Sequence, residues 1–171
     1  MPKNAKPIFV LITDEMPYDY VSREMAAAVH VNLAQQISTA EIFEELKAKY
    51  AVYIILKPYG EYGDPAITAR VRKTWLELVD EGHIANMEEP ERVVDIIFGI
   101  LAMEADRNDY FEKELRGRQT KAQVTTVMRS LKTIHARSAK AENGTKRRPA
   151  GAAGKSTLFR VGSGKKVDDL D

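Results

Sequence analysis

The chain has 171 residues, 44% of them apolar and 30% charged, with no cysteine and a net charge of +1. That length suits one compact domain with an appendage, and the apolar share is enough for a core. Disulfides and thiolate chemistry are excluded, and no apolar run approaches the ~20 residues that a spanning helix needs. The small net charge hides a division. Residues 1–115 carry 12 Lys/Arg against 21 Asp/Glu, a net of −9, whereas residues 116–171 carry 14 against 4, a net of +10. An acidic body with a basic extension points to a polyanion, to an acidic partner surface, or to a solvated tail drawn to a body of its own kind.

The first residues, Met-Pro-Lys-Asn-Ala-Lys-Pro, run into a strand with no apolar h-region, so the expected location is cytoplasmic. Ile8–Thr13 (IFVLIT) is continuously apolar and rich in β-branched residues, as in strands buried on both faces, and it ends on Asp14-Glu15. The Ala-rich residues 21–35 read as a helix. Ser38-Thr39-Ala40-Glu41 is a capping box opening a second helix, with Ile42, Phe43, Leu46 and Tyr50 on its apolar face. Ala51–Leu56 (AVYIIL) is the next buried strand. Asp64-Pro65 supplies an N-cap and a proline at the first helical position, leading into Ile67, Val71, Trp75 and Leu78.

Residues 83–87 (HIANM) form a weaker third strand. Pro90 opens a helix whose expected buried stripe is Val93, Val94, Ile97, Ile100 and Leu101. Residues 106–116 continue it into solvent, with Gly117 as the stop. Thr120 caps a further helix with Val124, Val127, Met128, Leu131 and Ile134 on one side and Lys121, Arg129 and Lys132 elsewhere. Residues 139–171 are rich in Lys, Arg, Gly, Ala and Ser and bury too little to offset chain entropy, which predicts a flexible basic tail. Helical patterns rather than hairpin turns separate the strands, so the expected class is α/β with a short parallel sheet. The expected division is 1–117 for the α/β body, 118–138 for a basic amphipathic helix and 139–171 for the tail.

Several sequence features bear on chemistry. Residues 151–157 (GAAGKST) imitate a phosphate loop, but Pro149 stands where the first glycine belongs and no strand precedes it, so a basic linker is the better reading. His30, His83 and His135 share no ligand spacing and read as structural or exposed. Tyr59 and Tyr62 follow the second strand and either form a contact surface or pack their loop onto the sheet. The basic residues, among them Arg129, Lys132, Lys146, Arg147, Arg148, Lys165 and Lys166, suit non-specific nucleic-acid binding, since no reader motif and almost no aromatic interleaving accompany them.

Asp14 is the most pointed candidate, because open α/β sheets place ligands at the carboxyl ends of their strands. Mg2+ takes near-octahedral oxygen ligation. Asp14 with Thr13 and Glu15 offers part of such a shell, with Asp19 and Glu61 or Asp64 as companions on neighbouring loops. The alternative is a strand-end carboxylate that bonds to its own turn.

The order of these motifs resembles the C-terminal half of a von Willebrand factor A domain over about residues 6–106. "FVLITDE" is similar to that family's strand and Thr-Asp-Gly loop, "EIFEELKAKYAVYIILKPYG" to its next helix and strand, and "TWLELVDEGHIANMEEPERVVDIIFGILAME" to its closing segment. The resemblance implies a Rossmann-like three-layer sandwich fragment and a non-enzymatic protein-interaction or scaffold module, often in assemblies with a AAA+ ATPase. It implies Mg2+ held by Asp14 with Thr13 as the loop hydroxyl, and a partner surface around Glu15, Asp19, Tyr59 and Tyr62. Glu15 replaces the usual glycine, and no Asp-x-Ser-x-Ser loop occurs in the sequence. The strands that precede this point in the family are absent too, which leaves a three-stranded half-sheet with an open edge. Self-association, or complementation by a missing N-terminal half, is expected. The alternative role is nucleic-acid association through residues 116–166.

Overall fold

A computed structural model describes residues 6–59 and 64–134. Its centre is a parallel three-stranded sheet in the order β1 (Ile8–Thr13), β4 (Ala51–Leu56), β5 (Ile84–Asn86). β1 pairs with β4 from Ile8↔Ala51 to Thr13↔Leu56, and β4 pairs with β5 from Ile54↔Ile84 to Leu56↔Asn86. The parallel connections run through α2 (Thr39–Lys49) and α3 (Pro65–Leu76), as strands without hairpin turns require.

Successive residues of a strand point to opposite faces, and β4 divides its side chains accordingly. Val52, Ile54 and Leu56 join Ile84, Phe43 of α2, and Val71 and Trp75 of α3, with Phe9 and Leu11 against them. Tyr53 and Ile55 join Ala85 and Met87 on the other face. That face is covered by α4 (Val93–Glu104), α5 (Asn108–Arg118) and α6 (Lys121–Ser130), with Ile8 and Val10 packed against the cluster. Helices therefore flank the sheet on both sides.

The caps form as the sequence indicates. Ser38 and Glu41 make a reciprocal capping box at α2, and Thr120 and Gln123 make another at α6. The Ser38 hydroxyl and then its backbone N–H hold the Glu41 carboxyl below its usual range. Asp64 Oδ1 accepts from Ala66 N and Ile67 N at 2.8 and 3.1 Å, ahead of Pro65.

Five expectations need correction. The helix over 21–35 shrinks to α1 (Arg23–Ala28), capped by Ser22 and ended where His30 takes φ 60°. It sits between β2 (Tyr20–Val21) and β3 (Ile37–Ser38), a short antiparallel pair that consumes the flanking residues. The third strand is only Ile84–Asn86, because Glu81–His83 forms a 3-10 turn. The stripe on the Pro90 helix is rotated: Ile96, Gly99, Ile100 and Met103 are buried, whereas Val94 and Leu101 face outward. A helix apolar all round gives the sequence no preferred face, and contact with α5 and α6 chooses one.

Residues 106–116 do not prolong that helix. Asp106 takes φ 54°, Arg107 N donates to Ala102 O at 2.8 Å, and the chain turns back so that Phe111 and Leu115 of α5 are buried. This is a left-handed C-terminal cap with aspartate in place of glycine. Asp106→Val should lower stability by about 1–2 kcal/mol, since a β-branched residue pays the full cost of the left-handed conformation. The check is a lower urea midpoint at unchanged slope, with Asp106→Gly at or above the parent.

The basic helix, finally, is not an appendage. Val124, Val127, Leu131 and Ile134 lie in one cluster with Ile96, Ile100 and Leu115, so a single core crosses the expected boundary at 117/118. At the crossing with α4, a Cβ on Gly99 would lie 2.2 Å from Leu131 Cδ1, so any larger residue there requires the buried Leu131 side chain to shift. The tail over 139–171 lies outside the described residues.

Candidate functional site

β1 and β4 end in register, so the residues just beyond them are neighbours at the carboxyl edge. Lys57 N donates to Thr13 O at 3.0 Å, and the Lys57 Nζ then meets Asp14 Oδ2 at 3.2 Å. Both side chains are partly exposed, so the pair is worth about 0–1 kcal/mol and acts mainly to set charge and orientation. Thr13 Oγ1 accepts from Glu15 N at 3.0 Å, which folds the loop into a tight hydroxyl turn. The loop is fastened from below, because Trp75 Nε1 donates to Glu15 O at 2.9 Å.

The other expected partners of Asp14 have separate tasks. The Asp19 carbonyl accepts from Thr39 N at 3.0 Å, which ties its loop to the start of α2. Asp64 is committed to capping α3. Tyr59 is half-buried against the α2/α3 face, and its N–H donates to Thr68 Oγ1 at 3.0 Å, so it packs its loop onto the sheet. Tyr62 and Glu61 lie outside the described residues. Among the described residues no group of three or more His, Cys, Asp or Glu side chains gathers.

Among the described residues, the two expected Mg2+ ligands, Asp14 and Thr13, each have a partner of their own. Asp14 already faces an ammonium group, and the Thr13 oxygen faces a backbone N–H. One further polar group lines this edge. Arg72 donates from Nη1 to Asn86 Oδ1 at 2.9 Å and from Nη2 to Glu81 at 3.2 Å.

Of the basic candidates, Arg129 is engaged with Glu88 at 2.7 Å, and Lys132, just beyond the end of α6, is exposed. Lys146, Arg147, Arg148, Lys165 and Lys166 lie outside the described residues. His30 is exposed, His83 is hydrogen-bonded to Asp80, and His135 lies outside the described residues.

Two features escaped sequence reasoning. Lys57 stands one residue past its strand just as Asp14 does, and parallel pairing would have placed them together. The second is apolar exposure. Ile12 on β1 is 47% exposed, and Val94, Phe98 and Leu101 form an outward apolar row on α4. Isolated exposed apolar residues are ordinary, and an outward apolar row along one helix is less so.

The fold and edge define a small α/β domain whose outer strands, β1 and β5, are each paired on one side only among the described residues. No family model, curated protein or solved structure matches the chain. No helix among the described residues is long and apolar enough to cross a membrane.

Proposed function

We propose that the chain is a non-enzymatic protein-interaction module, built as the C-terminal half of a Rossmann-like domain resembling the von Willebrand factor A type, that binds its partner by strand addition. The carrying observation is the position of β1: a six-residue apolar strand at the outer edge of the sheet, its Ile12 exposed. Such an edge presents a row of unpaired backbone donors and acceptors to any compatible chain.

Lys57 supplies beside Asp14 the positive charge that a cation supplies in complete domains of that type. Partner capture therefore relies on backbone pairing and apolar contact, and Mg2+ enters only where another chain adds the missing oxygen donors. The test is a photo-crosslinking residue at position 12, installed in producing cells and compared with the same residue at exposed Arg70 on α3. A discrete protein adduct from position 12 alone is expected. Absence of any protein adduct there, or an adduct to nucleic acid only, would overturn the reading.

A further inference from the structure

The edge of β1 carries more information than its being open. Ala51 N donates to Pro7 O and Lys57 N donates to Thr13 O, so the odd-numbered residues of β1 direct their backbone groups at β4. By alternation, Ile8, Val10 and Ile12 direct theirs outward. Pro7, which lacks an N–H, belongs to the inward set and leaves no gap on the open side. The pairing with β4 runs one-to-one from Ile8 to Thr13 without a bulge, and no charged side chain interrupts it. Among the described residues, none of the usual devices that blunt an edge is present along β1.

The strand is also polarised. Lys6 precedes it and Asp14 and Glu15 follow it. Parallel addition of an identical strand would set Lys6 beside Lys6 and Asp14 beside Asp14. Antiparallel addition sets unlike charges together, and the strand is then complementary to itself.

We propose that β1 pairs antiparallel with β1 of a second copy of this chain, across a two-fold axis perpendicular to the sheet and centred on Val10. This inference rests on the strand-addition reading above and names its partner. A perpendicular axis keeps like faces together, so only residues of the same face can stand opposite one another. Centred on Val10, the register opposes Val10 with Val10, Ile8 with Ile12, and Lys6 with Asp14 of the copy. These are the outward-directed residues, so each opposed pair exchanges both backbone hydrogen bonds, about six across Ile8, Val10 and Ile12.

The exposed Ile12 is covered by the copy's Ile8 in this arrangement. Lys6 gives one hydrogen bond to Lys47 O at 2.6 Å and Asp14 gives one oxygen to Lys57, so each retains capacity for the new contact. The interface is isologous and closes as a dimer, which ends the edge instead of extending it into a fibre.

Because the chain has no cysteine, single-cysteine variants of the full chain read this register directly. Opposed residues in a hydrogen-bonded antiparallel pair have Cα atoms about 5.5 Å apart, within the range a disulfide spans. Val10→Cys should form a covalent dimer on mild oxidation, and Leu11→Cys alone should not. Phe9→Cys mixed with Leu11→Cys should form the mixed dimer. Sedimentation should give a dimer for the parent and a monomer of unchanged circular dichroism for Ile12→Lys.

Cross-linking of Leu11→Cys in place of Val10→Cys would overturn the register. A monomeric full chain would overturn self-pairing, and a dimer formed only when the chain ends after Ile134 would show the tail to be the occupant instead. A monomer that still gives a position-12 adduct to a different protein would sink this inference and leave strand addition standing. No adduct at all would sink both.

Discussion

Replacing Trp75 with alanine should lower stability by about 3–5 kcal/mol and release the loop at residues 13–15 in the same step. The indole is 4% exposed and meets the Phe43 ring edge-on, with centroids 5.6 Å apart. Its removal leaves a cavity between α2, α3 and the sheet. Its N–H also holds the Glu15 carbonyl, so the packing and the candidate site share one side chain. Trp75→Phe weights the two contributions differently: it keeps most of the apolar area, leaves a smaller cavity and loses the donor, a hydrogen bond worth about 1 kcal/mol.

Urea unfolding followed by far-ultraviolet circular dichroism measures both variants, since the only tryptophan is gone in each. Amide exchange at Glu15, whose N–H bonds to Thr13 Oγ1, should quicken in Trp75→Phe even though the fold persists. Unchanged exchange there would mean that the Thr13 turn holds itself, without the anchor below it.

The second large effect concerns where the domain ends. A chain stopped after Arg118 should not fold, whereas one stopped after Ile134 should unfold cooperatively. The difference is residues 119–134, which bring Val124, Val127, Leu131 and Ile134 into the core, each 3% exposed or less. At about 1.5–3 kcal/mol for each buried side chain, their loss removes about 6–12 kcal/mol. Whole domains of this kind are stable by only about 5–15 kcal/mol, so the loss is comparable with the whole.

Polar links would be lost with them. Thr133 Oγ1 donates to Ile84 O at 2.6 Å, and Arg129 meets Glu88. Proteolysis and near-ultraviolet circular dichroism of the two chains decide the matter, and a folded, protease-resistant chain ending at 118 would refute it. It follows that nucleic-acid association through the basic region must be tested by cutting beyond Ile134. A cut at 116 would remove part of the core together with the charge.

The sequence carries these elements unevenly. The capping boxes at Ser38 and Thr120 and the Asp64-Pro65 start are legible because their bonds close within three or four residues. Ile8–Thr13 and Ala51–Leu56 are legible because an unbroken β-branched run between helical patterns has few other uses. The break at Asp106 was less visible, since aspartate tolerates positive φ without advertising it as glycine does. Residues 21–35 misled for a different reason: an Ala-rich segment has high helix propensity throughout, and only the pairing of Tyr20–Val21 with Ile37–Ser38 limits how much of it is helical.

The candidate site was half legible. Asp14 at the end of an apolar strand is visible from the residues alone. Its partner is not, because Lys57 is forty-three positions away and reaches it only through the β1–β4 register. Trp75 reads as core and is core, but its second task, holding Glu15, depends on where α3 lies relative to β1.

By itself, then, the sequence determined certain local objects: the strands Ile8–Thr13 and Ala51–Leu56, the capped starts of α2, α3 and α6, and the division of charge between body and extension. All of these follow from bonds and periodicities that close within a few residues. Only the tertiary structure decided that β1 is an outer strand, that an ammonium faces Asp14, that α6 belongs to the core and that the row Val94, Phe98, Leu101 faces outward. Those outcomes depend on which apolar faces meet across distant parts of the chain. Where a segment such as α4 is apolar all round, burial of its neighbours makes the choice that its own residues leave open.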